Sequence, residues 1–240
     1  MWTRYRRYRE AHQGGPHGGR ASHRAGGAFC GRGDPLTGFK KGERLPLSFF
    51  ERNTLVVARD LLGCELRYET PDGTTSGIIV ETEGYLERGD MASHARFGPT
   101  DRSSVLFGPP GYAYVYFVYG MHYMFNVVTE RDKTAGAVLV RALEPLRGIE
   151  LMSCRRGVAP DGNANLTSGP ALLCQALGIT LEENRADLGA GPLGIYAMRS
   201  HPDPDVMNTS RIGVCGSKEE LYRYVVKGNP YVSGRRLRRG

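Results

Sequence analysis

Residues 111–143 read GYAYVYFVYGMHYMFNVVTERDKTAGAVLVRAL, and three consecutive strands are written into them. GYAYVYFVY, HYMFNVVT and GAVLVRAL are rich in aromatic and β-branched residues, which fit a pleated, partly buried surface. Gly120 is the obvious turn former between the first two, so the chain reverses at Tyr119-Gly120-Met121 with Tyr119 at or beside the tip. Residues 131–136 supply the second turn. Strand alternation puts Tyr112, Tyr114 and Tyr116 on one face and Val115 and Phe117 on the other. Tyr119 is out of phase with that stripe. A ring at a hairpin tip gains no burial within the protein, which points to insertion into something else, such as a base stack. Asn126 and Arg141 interrupt the apolar second and third strands. Each needs a polar partner if buried and needs none if it faces solvent on an open sheet.

Outward from this segment, LVVARDLLGCEL (55–66) has the apolar spacing of a helix ending near Gly63. Residues 64–68 then read as a strand, Pro71-Asp72-Gly73 as a turn, and residues 77–83 as the returning strand. Downstream, Ser168-Gly169-Pro170 predicts a helix over ALLCQALGI, with a hydroxyl cap, an early proline and a stop near Gly178. Residues 189–204 look irregular, and residues 212–215 and 222–226 read as closing strands.

The chain has 240 residues, 40% hydrophobic and 24% charged, which excludes a wholly disordered or lipid-embedded protein. The formal net charge of +7 is carried by residues 1–44, with ten Lys or Arg against three Asp or Glu. Arg235, Arg236, Arg238 and Arg239 repeat the theme at the other end, and residues 45–233 are net −4. A uniformly basic domain that coats nucleic acid is thereby excluded. The expected organisation is a disordered, glycine-rich basic tail over 1–44, a domain over 45–233 and a basic tail over 234–240. Five widely separated cysteines with no C-x-x-C pair fit neither a disulfide framework nor a zinc site. No secretory signal is expected, and the apolar run 111–128, interrupted by five tyrosines, His122 and Asn126, is a poor membrane span.

Chemistry collects near the strand IIVETE (78–83). Alternation puts Ile79, Glu81 and Glu83 on one side, with Tyr85 joining them if the strand continues. Solvated carboxylates at a strand end are one reading and a general base is the other. A carboxylate beside aromatic rings is poorly solvated, which suits it to proton abstraction near neutral pH. His94, inside ASHARFG, decides nothing by itself. A carboxylate, several tyrosines, an amide and an arginine from neighbouring strands nevertheless meet the physical specification of a nucleobase pocket.

The strings VETEGYL, FGPPGYAYVYFVYGMHYMFNVV, VLVRALEPL, SGPALLCQALGI and VVKGNPYVS resemble the alkyladenine-type 3-methyladenine DNA glycosylase family. The resemblance spans residues 45–233. It implies a single α+β domain with a curved antiparallel β-sheet, flanking helices and a protruding hairpin that enters DNA. It also implies a monofunctional glycosylase for alkylated or deaminated purines, which starts base excision repair and needs no cofactor or metal. Residue by residue, it implies that Glu83 activates water, with Glu81 as its structural neighbour and Arg141 contacting the flipped nucleotide. Tyr85, His94 and Tyr116 would hold the flipped base, Asn126 and Leu139 would shape the pocket, and Tyr119 would intercalate. The chain departs from the family at Ser103 and Leu106, where relatives commonly carry asparagine and methionine. The implied partner is double-stranded DNA containing a damaged purine, met by a monomer with no membrane and no obligate protein partner. Cytoplasmic or nuclear placement would follow the type of organism.

Two rivals remain at this level. Glu81 and Glu83 could act as the acid–base pair of a glycoside hydrolase, although one strand cannot easily flank a substrate. The tyrosines could instead belong to a noncatalytic nucleic-acid-binding module.

Overall fold

A computed structural model describes residues 36, 38–131, 133–159, 165–198, 205–217 and 219–234. The decisive segment folds as three antiparallel strands: β3 (Ala113–Val118), β4 (His122–Thr129) and β5 (Gly136–Arg147). They join β1 (Glu65–Thr70), β2 (Gly73–Leu86) and β6 (Leu193–Tyr196) in a mixed-length sheet of spatial order β3-β4-β5-β2-β1-β6. β7 (Val206–Thr209) pairs with β8 (Arg223–Val226), and β8 pairs with the second half of β2. Every pairing is antiparallel, and helices lie against the sheet, so the domain is α+β.

Among the described residues the helices are α1 (Leu47–Phe50), α2 (Thr54–Asp60), α3 (Ile149–Arg156) and α4 (Pro170–Leu177). Asn53 caps α2 by accepting from the Leu55 and Val56 amides. Beneath the sheet, Phe50, Val57, Ala58, Phe125, Val127, Val138, Val140, Leu173 and Leu177 share one large core. Gly84 is a packing requirement in this layer, because a Cβ there would stand 2.6 Å from the Leu55 side chain on α2. Above the sheet lies a smaller cluster in which Ala95, Val105 and Leu106 cover Tyr114, Val128 and Ala137. It is built from two 3₁₀ turns, His94–Phe97 and Ser104–Phe107. Among the described residues, no helix is long and apolar enough to cross a membrane.

Three expectations are corrected. Residues 189–204 contain β6, which was read as irregular because its Leu-Gly-Ile-Tyr is too short to show a period. Residues 212–215 form no strand, and the closing strand before β8 is β7. The cap of α4 is Gly169 at φ 140°, with no side-chain hydrogen bond, so the Ser168 hydroxyl does not cap it. The tail boundary also moves. Leu36 is buried in the core, the Gly42 and Leu45 amides donate to Ala197 and Ile195 carbonyls, and Arg44 donates to the Leu188, Leu193 and Gly191 carbonyls. Residues 39–44 are therefore bound along β6. The rest of the expected N-terminal tail, residues 1–35, and the final arginines lie outside the described residues.

Candidate active site

Cross-strand register assembles the site. Tyr114 pairs with Asn126, Asn126 with Leu139, Leu139 with Glu83, and Glu83 with Arg223, so one row runs across β3, β4, β5, β2 and β8. Directly opposed residues point to the same face, and here that is the face opposite the helices. Along β2, Glu81, Glu83 and Tyr85 share it, while the Thr82 hydroxyl donates to the Ala58 carbonyl on the helix side. Ile79, expected beside the acids, belongs to the core.

The register slips twice at the critical point. Val80 has no partner on β5 between the pairs Ile79–Leu143 and Glu81–Ala142, and Arg141 has none on β2 between Ala142 and Val140. Bulges re-aim side chains, and the second one frees Arg141 to reach both acids. Its Nε donates to Glu81 Oε1 at 2.9 Å and its Nη1 to Glu83 Oε2 at 3.1 Å. Burial opposes the Arg141 charge, but the carboxylates of Glu83 and Glu81 outweigh that and hold its pKa above the ordinary value. Glu83 is fully buried and triply held: Oε2 also accepts from the Tyr85 hydroxyl at 2.8 Å, and Oε1 accepts from the Ile212 amide at 2.8 Å.

A cleft of about 690 Å³ opens on this face. Tyr85, Tyr114 and Tyr116 give it aromatic walls, and Asn126, Leu139 and Arg141 line it deeper in. Glu83 is not part of the wall itself. It lies one layer behind, bonded to three groups of the wall: Tyr85, Arg141 and Ile212. Arg96 and Arg102 and, among the described residues, no carboxylate line it, so its mouth favours anions, while the charge of Arg141 is met by Glu81 and Glu83 behind the wall. Its volume suits one nucleobase with its sugar.

The aromatic walls are braced by their neighbours in the cleft. Tyr114 and Tyr116 have ring centroids 5.2 Å apart, and the His94 ring stands edge-on to Tyr116 at 4.8 Å. The Arg102 guanidinium lies over the Tyr116 ring at 4.8 Å. Burial pushes the Tyr116 hydroxyl up to about 12 and raises Tyr85 and Tyr114, so all three remain neutral donors. Asn126 donates to the Tyr114 carbonyl at 3.1 Å, which fixes its amide in the wall. At the mouth, Tyr119 is 81% exposed at φ 54°, followed by Gly120 at φ 68°, and the Met121 amide closes onto the Val118 carbonyl. Two successive left-handed residues make a tight hairpin turn. A bulky ring at positive φ costs about 1–3 kcal/mol and is usually kept for function.

Both departures from the family pattern sit beside this cleft. Ser103 is buried, donating to the Gly98 carbonyl at 2.9 Å and accepting from the Thr100 amide at 2.9 Å, while Leu106 packs into the upper cluster and the cleft wall.

Sequence reasoning missed four groups. Arg211 binds Asp90 through two 2.6 Å bonds and stacks over the Tyr85 ring at 4.6 Å, setting that tyrosine from behind. Arg223 and Ser233 both bond Glu81. These partners lie over 120 positions from the acids they bind, and no local pattern links them. Among the described residues, no cluster of His, Cys, Asp and Glu could hold a metal ion.

Comparison with known proteins identifies the architecture. A sequence profile of the methylpurine-DNA glycosylase (MPG) family matches residues 48–230. A protein of Methanoculleus marisnigri is 46% identical over 194 residues, covering 80% of this chain and 99% of its own. One from Carboxydothermus hydrogenoformans is 47% identical, covering 79% of this chain and 98% of its own, and one from Salinibacter ruber is 46% identical, covering 80% and 97%. All three carry the provisional name 3-methyladenine DNA glycosylase. The chain is thus a DNA glycosylase and belongs to the methylpurine-DNA glycosylase family.

Proposed function

We propose that the protein excises 3-methyladenine and related alkylated or deaminated purines, and that Glu83 is its general base. The observation that carries this reading is the dressing of the carboxylate. Oε2 accepts from Tyr85 and Arg141, which uses both its lone pairs, whereas among the described residues Oε1 accepts only the Ile212 amide. The remaining lone pair of Oε1 is the place for a water, next to the wall where the flipped nucleotide presents C1′.

The reaction balances simply. Water oxygen forms a bond to C1′ as the N-glycosidic bond breaks, its electron pair departs with the purine, and the water proton passes to Glu83. Alkylation at N3 or N7 makes the purine cationic and already a good leaving group. Tyr85, His94 and Tyr116 stack the extruded base, and Asn126 and Leu139 exclude normal purines by contact. Tyr119 fills the vacated stack. Flipping a damaged base costs a few kcal/mol, roughly offset by the wedge and by aromatic stacking at about 1–3 kcal/mol per base.

The test is single-turnover release of base from duplexes carrying 3-methyladenine or hypoxanthine. Glu83→Gln keeps the shape and should retain lesion affinity while slowing release by about 10²–10⁴-fold, the usual worth of a general base. Undiminished release by that variant would remove Glu83 from the chemical step. No release by the unaltered protein, with tight lesion binding, would leave a damage-binding protein.

A further inference from the structure

The two acids of β2 have different company. Glu81 is fully buried and, of its partners Arg141, Arg223 and Ser233, only Arg141 lines the cleft, so it lies further from the cleft than Glu83, whose three partners all line it. Its Oε1 accepts from Arg141 Nε at 2.9 Å, Arg223 Nε at 2.7 Å and the Ser233 hydroxyl at 2.8 Å, and its Oε2 accepts from the Ser233 amide at 2.6 Å. Ser233 is also 3.4 Å from Arg141 Nη2 through its hydroxyl oxygen, and its carbonyl accepts from Arg223 Nη2 at 2.8 Å. One serine therefore bonds Glu81, Arg141 and Arg223 at once, using all three of its polar groups.

Charge makes the arrangement informative. Two carboxylates and two guanidiniums, all buried, sum to zero, and such a quartet is expensive to desolvate relative to an apolar cluster of the same volume. Arg223 supplies the second positive charge for Glu81, so Glu81 does not monopolise Arg141. Arg141 in turn is held at three corners: Nε by Glu81, Nη2 by Ser233, Nη1 by Glu83. Two fixed corners of a rigid planar fork determine where the third points.

We propose that Ser233 is a positioning residue for the glycosylase reaction: with Glu81 and Arg223 it latches the Arg141 guanidinium against Glu83, making the closing segment of the chain a working part of the active site. This rests on the reading of Glu83 as general base. Ser233 touches neither base nor water and acts only through the orientation of Arg141 and hence of the carboxylate.

The experiment is a double-mutant cycle read by single-turnover excision at saturating enzyme on a hypoxanthine duplex, with lesion affinity and the far-UV spectrum measured alongside. Ser233→Ala should slow excision by about 10- to 100-fold, the scale of an ångström-sized misplacement. In a Glu83→Gln background the same change should alter the residual rate by less than about twofold, because the group it orients is already disabled. Equal slowing in both backgrounds would make Ser233 merely structural, and no slowing in the native background would overturn the latch while leaving Glu83 in place. A Glu83→Gln enzyme that excises normally would instead bring down the general-base reading itself. If Ser233→Ala does not fold, Glu81→Gln, which keeps the shape but loses the charge and sets an amide NH2 against a donor, enters the same cycle with the same expectation.

Discussion

His94 stands at the mouth of the cleft, exposed on one side and with its ring against those of Tyr114 and Tyr116, its Nδ1 2.9 Å from the Tyr114 hydroxyl. Burial among those walls depresses its pKa below 6.5, and the nearby guanidiniums of Arg102 and Arg96 depress it further. At neutral pH the ring is therefore uncharged. An NMR titration of the imidazole should give a midpoint below 6.5, and Arg102→Gln should move it upward. A midpoint at or above 6.5, or no rise in the variant, would reject this. The linkage has a definite sign. The unfolded chain takes up the proton first, so the folded state loses stability as pH falls through 6.5, with no further loss below the native midpoint. Single residues of this kind were only partly legible in the sequence. Glu81, Glu83 and Tyr85 follow from the period of a strand, but Arg211 reaches Tyr85, and Arg223 and Ser233 reach Glu81, across more than 120 positions, and His94 gains meaning only from the rings around it.

The hairpin of β3 and β4 is the element most plainly written in the sequence, since a strand pair interrupted by Tyr-Gly-Met allows little else. Its exposed tip and the arginine-lined cleft face DNA together under the proposed function. Tyr119→Ala leaves the sheet pairing from Val118–His122 onward intact and keeps a Cβ at the same positive φ. Folding should thus be unharmed while flipping loses its wedge. Stopped-flow fluorescence of a base analogue beside the lesion should show a flipping equilibrium weakened by about 5- to 150-fold, equivalent to the roughly 1–3 kcal/mol of one stacking partner. An unchanged equilibrium would reject the wedge. Other elements were harder to read. β6 has four residues and its register comes from β1, while the bulges at Val80 and Arg141 are properties of strand pairing, invisible in either strand alone.

At the scale of the whole molecule, charge and chemistry are separated. Residues 45–233 are net −4, yet the cleft is cationic, and the surplus positive charge lies in the terminal segments. Residues 1–35 carry seven arginines and two acidic residues, and they precede the segment that Arg44 binds to β6. Arginines of this kind neutralise phosphates without reading sequence, and each phosphate contact adds about 0.9 to the slope of log affinity against log salt. Deleting residues 1–35 retains Leu36, Arg44 and the whole site, so it should weaken binding to undamaged duplex and flatten that slope by about one unit or more. Single-turnover excision at saturating enzyme should stay within about twofold of the full chain, because no group bonded to Glu83 or Arg141 is removed. An unaltered salt slope would show that these arginines do not meet the backbone. A slope that flattens together with a collapse in excision rate would place the segment in the site, contrary to the partners that Tyr85, Arg141, Ile212, Arg223 and Ser233 already provide for the two acids.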